Sequence, residues 1–359
     1  MKRVLLTTIH PAPYITLWLE GLSSIVHVDS MFAHKASSEK GWKINVSENI
    51  LLYSDLSFFE KIKLLGSYDL VIFCGWGLRE NVLLSFGLLM YKTKVAFFLD
   101  HPIIGLTKVN FFAKALKKLI IKTADYIFPA SKSCKDYLHL TYSVPLDKLL
   151  IFPYAHSSSN INVLNSINLE RKNKLKLNQK IRVFTANRFE ERKGYSVVLQ
   201  AFSLLKEKGM LDEFEIIIAG NGSEYKNYLS EFSSLSNNIK LLGWIENHEY
   251  QFYIDNCDVY FHSSLFEPFG IPPIDAMQRG KSVIVSNGVK SCDVFDNQKD
   301  IGVYTYPANN PLILSNIFCD IYENKFHLYD HSQKIINLVE RNYSININIE
   351  TVKHALYSD

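Results

Sequence analysis

Short runs of apolar, β-branched and aromatic residues alternate with helix-length amphipathic stretches along most of the chain. In the first half the strand-like runs are residues 3–9, 26–32, 68–74, 94–100, 126–131 and 149–155. Between them, residues 14–24, 56–66, 78–91 and 110–122 place apolar positions on one helical face. The strand-like pattern restarts at 182–188, 214–220, 239–244, 258–264 and 282–287. Runs that are apolar throughout and separated by helices predict parallel sheets buried on both faces. Residues 156–180 are polar, carry no strand signal and read as an interdomain connection. The pattern therefore predicts two doubly wound α/β domains in tandem. Ligands of such sheets bind beyond the carboxyl ends of the strands, so the loops there are the places to look for chemistry.

Composition narrows the classes. The 359 residues are 47% apolar and 21% charged, enough for more than one core. Charge nearly cancels at +3, which argues against a nucleic-acid partner, but the balance is uneven. Residues 1–155 carry a surplus of six basic side chains and residues 156–359 a surplus of three acidic ones, which suggests domains with different clients. The apolar run Val4–Ile9 is too short for a secretory leader and is followed by Pro11 and Pro13, so it reads as a first buried strand. No run reaches the roughly eighteen apolar residues of a membrane span. The five cysteines are scattered without metal-type pairs, as expected of a reduced, cytoplasmic protein without structural zinc.

The most informative loop is 264–280, SLFEPFGIPPIDAMQRG. A strand ends near Ser264, a tight turn holds Glu267, Pro268 and Gly270, and Pro272 or Pro273 opens a helix, where a missing backbone donor costs nothing. Gly270 permits close backbone approach to a ligand, and the helix N-terminus behind it favours an anion. Glu267 stands in the loop and Asp275 in the first helical turn, two carboxylates able to face the hydroxyls of a polyol. Equally, Asp275 complements the helix dipole and Gly270 simply makes the turn.

This spacing of two carboxylates around an aromatic–glycine pair resembles the E-x7-E signature of the retaining glycosyltransferases of family 4. Other segments fall in that family's order: TANRFEERKG at 185–194, with Asn187 for the usual glycine, IAGNG at 218–222, LGW at 242–244, ADYIFPASKS at 124–133 and LIFPYAH at 150–156. The resemblance implies the GT-B fold, two Rossmann-like domains facing a central cleft. It divides the chain into an acceptor-side domain 1–160, a nucleotide-sugar domain 161–342 and a C-terminal helix 343–359 crossing back to the first domain. It implies that Arg188 and Lys193 hold the donor diphosphate and that Glu267 contacts the donor sugar. The amides of Phe269, Gly270 and Ile271 would meet sugar and phosphates, with Asp275 on the ribose. Gly220, Gly222 and Gly243 would belong to the donor site, the last beside the nucleobase. Asp275 is shorter than the family's usual Glu.

In the first domain the resemblance places His101 beside the transferred sugar, with Asp100 next to it. The loop after the first strand lacks the family's Gly-Gly pair, and His10 and Tyr14 stand there as acceptor-side candidates. The role of His156 is open. The implied reaction keeps the anomeric configuration: the acceptor hydroxyl attacks the face from which the nucleoside diphosphate leaves, and the leaving phosphate oxygen takes the proton. No cofactor and no metal are expected beyond the nucleotide-sugar co-substrate. The implied activity is transfer to a saccharide or lipid-linked saccharide in bacterial surface polysaccharide assembly. A nucleotide-sugar 2-epimerase of the same fold and a non-catalytic nucleotide-sugar-binding protein are the alternatives. A nicotinamide-dependent dehydrogenase is disfavoured because no G-x-G-x-x-G follows the first strand.

Residues 108–122 hold five lysines and no acid. Lys114, Lys118 and Lys122 recur at helical spacing beside Lys117, with Phe112, Leu116, Leu119 and Ile120 on another face. Two readings stand: a surface helix packed on its sheet, or a basic face on anionic lipid headgroups at the inner side of the plasma membrane.

Overall fold

The structure is a computed structural model that describes residues 1–34, 51–75, 79–100, 111–155, 161–295 and 298–358; for residues 13, 111–114, 116 and 161–163 only the backbone is described. His101 and His156, and the side chains of Phe112, Lys114 and Leu116, lie outside the described residues. The chain divides into two compact units, Met1–Ser157 with Tyr343–Asp359, and Ser158–Asn342.

The first unit is a six-stranded sheet of β1 (Arg3–Thr8), β2 (His27–Phe32), β3 (Leu51–Leu52), β4 (Leu70–Cys74), β5 (Lys94–Leu99) and β6 (Tyr126–Pro129), ordered β3-β2-β1-β4-β5-β6. Every ladder is parallel. The central strands LVIFC and KVAFFL are almost wholly apolar because helices cover both faces. These helices are α1 (Pro13–Ser23), α2 (Phe58–Leu65), α3 (Arg79–Gly87), α4 (Phe111–Thr123) and α5 (Lys132–Tyr142). α2 starts at a capping box: Ser57 Oγ accepts from Glu60 N at 3.4 Å and Glu60 Oε2 from Ser57 N at 2.8 Å.

Residues 149–155 do not form the strand expected of them. Leu150 and Phe152 donate to the carbonyls of Ile127 and Pro129 at 3.1 and 3.0 Å, but among the described residues the segment makes only the isolated bridge Ile127–Leu149. Pro153 has no N–H to extend a ladder. Its carbonyl accepts instead from Trp18 Nε1 at 3.2 Å and from Asn348 Nδ2 at 2.9 Å, while Thr351 Oγ1 donates to Ile151 O at 2.7 Å. Asn348 and Thr351 lie in the last helix (Ile345–Tyr357), which packs on α1 of this unit.

The second unit has helix α6 (Ile161–Lys176), then β7 (Ile181–Ala186), α7 (Tyr195–Glu207), β8 (Phe214–Ala219), α8 (Tyr225–Leu235), β9 (Ile239–Gly243) and α9 (Asn247–Asn256). It continues with β10 (Val259–His262), α10 (Ile271–Gln278), β11 (Ser282–Ser286), β12 (Val303–Tyr306), α11 (Pro311–Glu323) and α12 (Ser332–Tyr343). The sheet is parallel and ordered β12-β11-β10-β7-β8-β9.

The polar stretch 156–180 is therefore no plain connection, since it contains α6. This helix has few apolar anchors because buried polar groups hold it. Arg171, 2% exposed, donates to both oxygens of Asp258 at 3.0 and 2.6 Å, and Asp258 also accepts from Tyr329 Oη at 2.6 Å and Arg182 N at 2.7 Å. Asn168 donates to Arg279 O at 3.0 Å and accepts from Lys281 Nζ at 2.6 Å. Strands β3 and β12 are further elements that the hydrophobic pattern does not predict.

Candidate functional site

From β7 the chain of the second unit builds outward through β8 and β9, then returns to place β10 on the other side of β7. The direction of winding reverses between the neighbouring strands β7 and β10, and the loops leaving their carboxyl ends start side by side there. That is where an open parallel sheet offers a crevice for a ligand.

The two loops are tied together. Asn187 Nδ2, just past β7, donates to Ser264 Oγ at 3.2 Å and lies 3.4 Å from His262 Nε2 at the end of β10. Leu265 N donates to Arg192 O at 2.8 Å and Ser263 Oγ to Lys193 O at 2.8 Å. This approach needs a glycine at 194: its φ is +70°, and a Cβ there would stand 2.3 Å from Ser263 O. The turns after β8 and β9 join the same end. Gly220 N donates to Gly243 O at 2.7 Å, Phe189 N to Asn221 O at 3.1 Å and Glu224 N to Phe189 O at 3.1 Å. Gly222 lies in this turn, closely packed on Phe189.

The charged centre is Glu267. Its Oε2 accepts from Lys193 Nζ and from Ser264 Oγ at 3.3 Å, with Arg192 at 3.6 Å and His262 Nε2 at 3.9 Å. The Lys193 side chain is 6% exposed. Burial alone would raise the Glu267 carboxyl, but His262 and the Lys193 ammonium outweigh it and hold the group at about 2. Burial lowers Lys193, with Glu267 opposing, and likewise lowers His262, leaving that imidazole neutral at pH 7. Tyr260 Oη, 3.4 Å from His262 Nδ1, backs the ring. The loop thus holds a carboxylate kept ionised well below the usual carboxylate range beside a buried amine.

The remaining predicted donor-site residues separate. Arg188 does not end a buried strand, since β7 stops at Ala186; its side chain is 63% exposed and pairs with Glu190 at 3.5 Å. Arg192, which the sequence analysis did not single out, lies 3.6 Å from Glu267. Gly270 caps α10 in a left-handed conformation at φ +91°, Phe269 is buried before it, and the helix starts at Ile271 with Pro272 and Pro273 in its first turn, as expected. Asp275 therefore sits in the second turn of α10, not the first, and its Oδ2 accepts from Tyr250 Oη at 3.0 Å. The backbone oxygen of Asp275 accepts from Arg279 at 2.9 Å. His262, Arg192, Ser264 and Tyr250 were missed from sequence; the sole hint was polar HSS closing the apolar run 258–264.

In the first unit, Tyr14 and Asp100 meet through Tyr154, whose hydroxyl donates to Asp100 Oδ2 at 2.7 Å while its ring lies 4.6 Å from that of Tyr14. Burial raises both tyrosine hydroxyls well above their ordinary value. His10 follows β1 with its ring 5.3 Å from that of His34. On α4, Lys118 and Lys122 are exposed, whereas Lys117 is half-buried and lowered by that burial. Leu119 is 48% exposed beside Lys118, so it does not belong to the buried face; Ile120 and Ile121 do. Among the described residues, no helix is long and apolar enough to cross a membrane.

The family "Glycosyl transferases group 1" matches residues 166–335. An uncharacterised glycosyltransferase of Methanocaldococcus jannaschii is 24% identical over 191 residues, covering 51% of this chain and 47% of that protein. The α-1,3/1,6-mannosyltransferase of Dictyostelium discoideum is 30% identical over 154 residues, covering 37% of this chain and 35% of its own. The chain thus spans less than half the length of these curated relatives. The crystal structure of Anabaena HepE in complex with UDP superposes with a TM-score of 0.76 at 14% identity, covering both chains in full. The same protein has also been crystallised with UDP-glucose. The chain has the GT-B fold of two Rossmann-like domains, and its second unit is similar to the group 1 glycosyl transferases.

Proposed function

We propose that the protein is a retaining, metal-independent glycosyltransferase of family 4 that moves a sugar from a nucleotide-sugar to a saccharide or lipid-linked saccharide. The observation that carries this reading is the buried Lys193–Glu267 pair at the winding reversal of a sheet similar to group 1 glycosyl transferases. Lys193, Arg192 and Arg188 supply positive charge on one loop, suited to a diphosphate and to the charge that builds on it as the glycosidic bond breaks. Glu267, ionised throughout the physiological range, accepts from sugar hydroxyls and stabilises positive charge at the anomeric carbon. The leaving phosphate oxygen takes the acceptor proton as the acceptor oxygen bonds to that carbon from the same face. Gly220, Gly222 and Gly243 border the nucleotide, and Asp275, oriented by Tyr250, meets the ribose. His101 is assigned to the transferred sugar, and Asp100, His10 and Tyr14 to the acceptor. The UDP and UDP-glucose complexes of Anabaena HepE support a nucleotide-sugar donor. The setting we propose is assembly of a bacterial surface polysaccharide at the cytoplasmic side of the membrane.

A melting-temperature screen with UDP-, GDP-, ADP- and TDP-sugars tests the donor, because a ligand of the native state raises the midpoint with the logarithm of its excess over Kd. One donor is expected to raise it and then to be consumed only with an acceptor. Epimerised product without acceptor would instead indicate the 2-epimerase, and binding without turnover a binding protein. No response to any of the four would sink the reading.

A further inference from the structure

The outer side of α2, α3 and α4 combines apolar and basic groups. Strands β4, β5 and β6 are consecutive neighbours, and α3, which joins the first two, packs against both α2 and α4. Side chains confirm that α2 and α3 are adjacent, since a Cβ on Gly87 would meet Ile62 and one on Gly66 would meet the Tyr91 ring. The inner faces supply Leu65, Val82, Leu84, Leu88, Ile120 and Ile121 to one core. The outer faces should then be polar. Instead Phe59 on α2, Leu83 on α3 and Leu119 on α4 are exposed, and so are Leu89 and Met90 in the turn that follows α3, Phe59 at 80% and Met90 at 88%. Single exposed apolar residues need no explanation, but several on one helical layer mark a docking face.

Charge selects the partner. Within residues 58–65, 79–92 and 115–123 the exposed ionic groups are Lys63, Arg79, Lys92, Lys118 and Lys122 against Glu60, and the partly exposed Glu80 is paired with Lys61. We propose that this layer is a membrane-docking face, on which Phe59, Leu83, Leu89, Met90 and Leu119 enter the interfacial zone of an anionic bilayer while the lysines meet its headgroups. Amphipathic surfaces bind in this way, through buried apolar area plus attraction to anionic lipid. The inference is independent of the reading of the second unit's site, and no catalytic assay is needed to test it.

The test is co-sedimentation of the full chain with vesicles of phosphatidylcholine alone or with added phosphatidylglycerol. Binding is expected only to the anionic vesicles and should weaken with salt. Each lysine near such a surface contributes about fivefold in partition, so Lys118→Glu with Lys122→Glu should lower binding by roughly 25-fold or more. Phe59→Ser with Met90→Ser should lower the binding that persists in high salt. All four side chains are exposed, so unchanged melting temperatures will show that the variants are folded. Absence of binding to anionic vesicles, or binding that neither double variant reduces, overturns the proposal. So does a wild-type dimer that Phe59→Ser with Met90→Ser converts to monomer without any vesicle binding, since a second copy would then cover this face.

Discussion

Glu267 is surrounded by more potential donors than one carboxylate oxygen needs: Lys193, Ser264, Arg192 and His262 all converge on Oε2. The physical consequence is a carboxyl held at about 2 against an ordinary 4.5. A depressed folded-state value stabilises the fold above the unfolded value and loses that contribution as pH falls through the folded one. Urea denaturation of Glu267→Gln should therefore show a deficit of about 1–3 kcal/mol near neutral pH. That deficit should shrink below about pH 4.5, where the unfolded carboxyl takes up its proton. A deficit constant down to pH 3 would contradict the assigned ionisation. Glu267 stood out in the sequence by its loop position and its spacing from Asp275, whereas Lys193 was reached only through the resemblance of TANRFEERKG at 185–194 to the family. His262 and Tyr250 were not, because an imidazole ending an apolar strand and a tyrosine on an amphipathic helix look like core until β7, α9 and β10 are placed side by side.

At the scale of elements, what the sequence reveals depends on what holds each segment. Strands β1, β4, β5, β8, β10 and β11 are buried by apolar side chains and announce themselves as apolar runs. Helix α6 is held by the Arg171–Asp258 pair and by Asn168, groups that read as solvent-facing in one dimension. Segment 149–155 has strand composition, but Pro153 and side-chain partners for its carbonyls stop the ladder. Breaking the α6 anchor tests its energetic role: Asp258→Asn leaves the buried Arg171 without its counter-charge and should cost about 3–5 kcal/mol in urea denaturation. At the junction of the β7 and β10 loops, Gly194→Ala meets both a left-handed φ and the Ser263 carbonyl, and should cost about 2 kcal/mol or more. It should also weaken donor binding, because the same contact positions Lys193.

Across the whole molecule, each unit is a complete sheet with its own core, and the first unit includes the C-terminal segment. The last helix buries Val352, Ala355 and Leu356 and supplies Asn348 and Thr351 to the carbonyls of residues 153 and 151. Deleting residues 343–359 should expose amides of the first unit to hydrogen exchange and leave β7–β12 protected; equal loss in both would contradict the division. The uneven charge of the two halves acquires a structural meaning here. Much of the basic surplus lies on the outer layer of α2–α4, while Arg188, Arg192 and Lys193 form a local basic cluster in an otherwise acidic second half. The central claim is that the buried Lys193 neutralises a departing nucleoside diphosphate. The most direct test is release of nucleoside diphosphate from the donor found in the screen, by wild type and by Lys193→Ala, each checked for native melting. The account predicts acceptor-dependent release that falls about 100- to 1,000-fold in the variant. A folded Lys193→Ala protein turning over at the wild-type rate would contradict it.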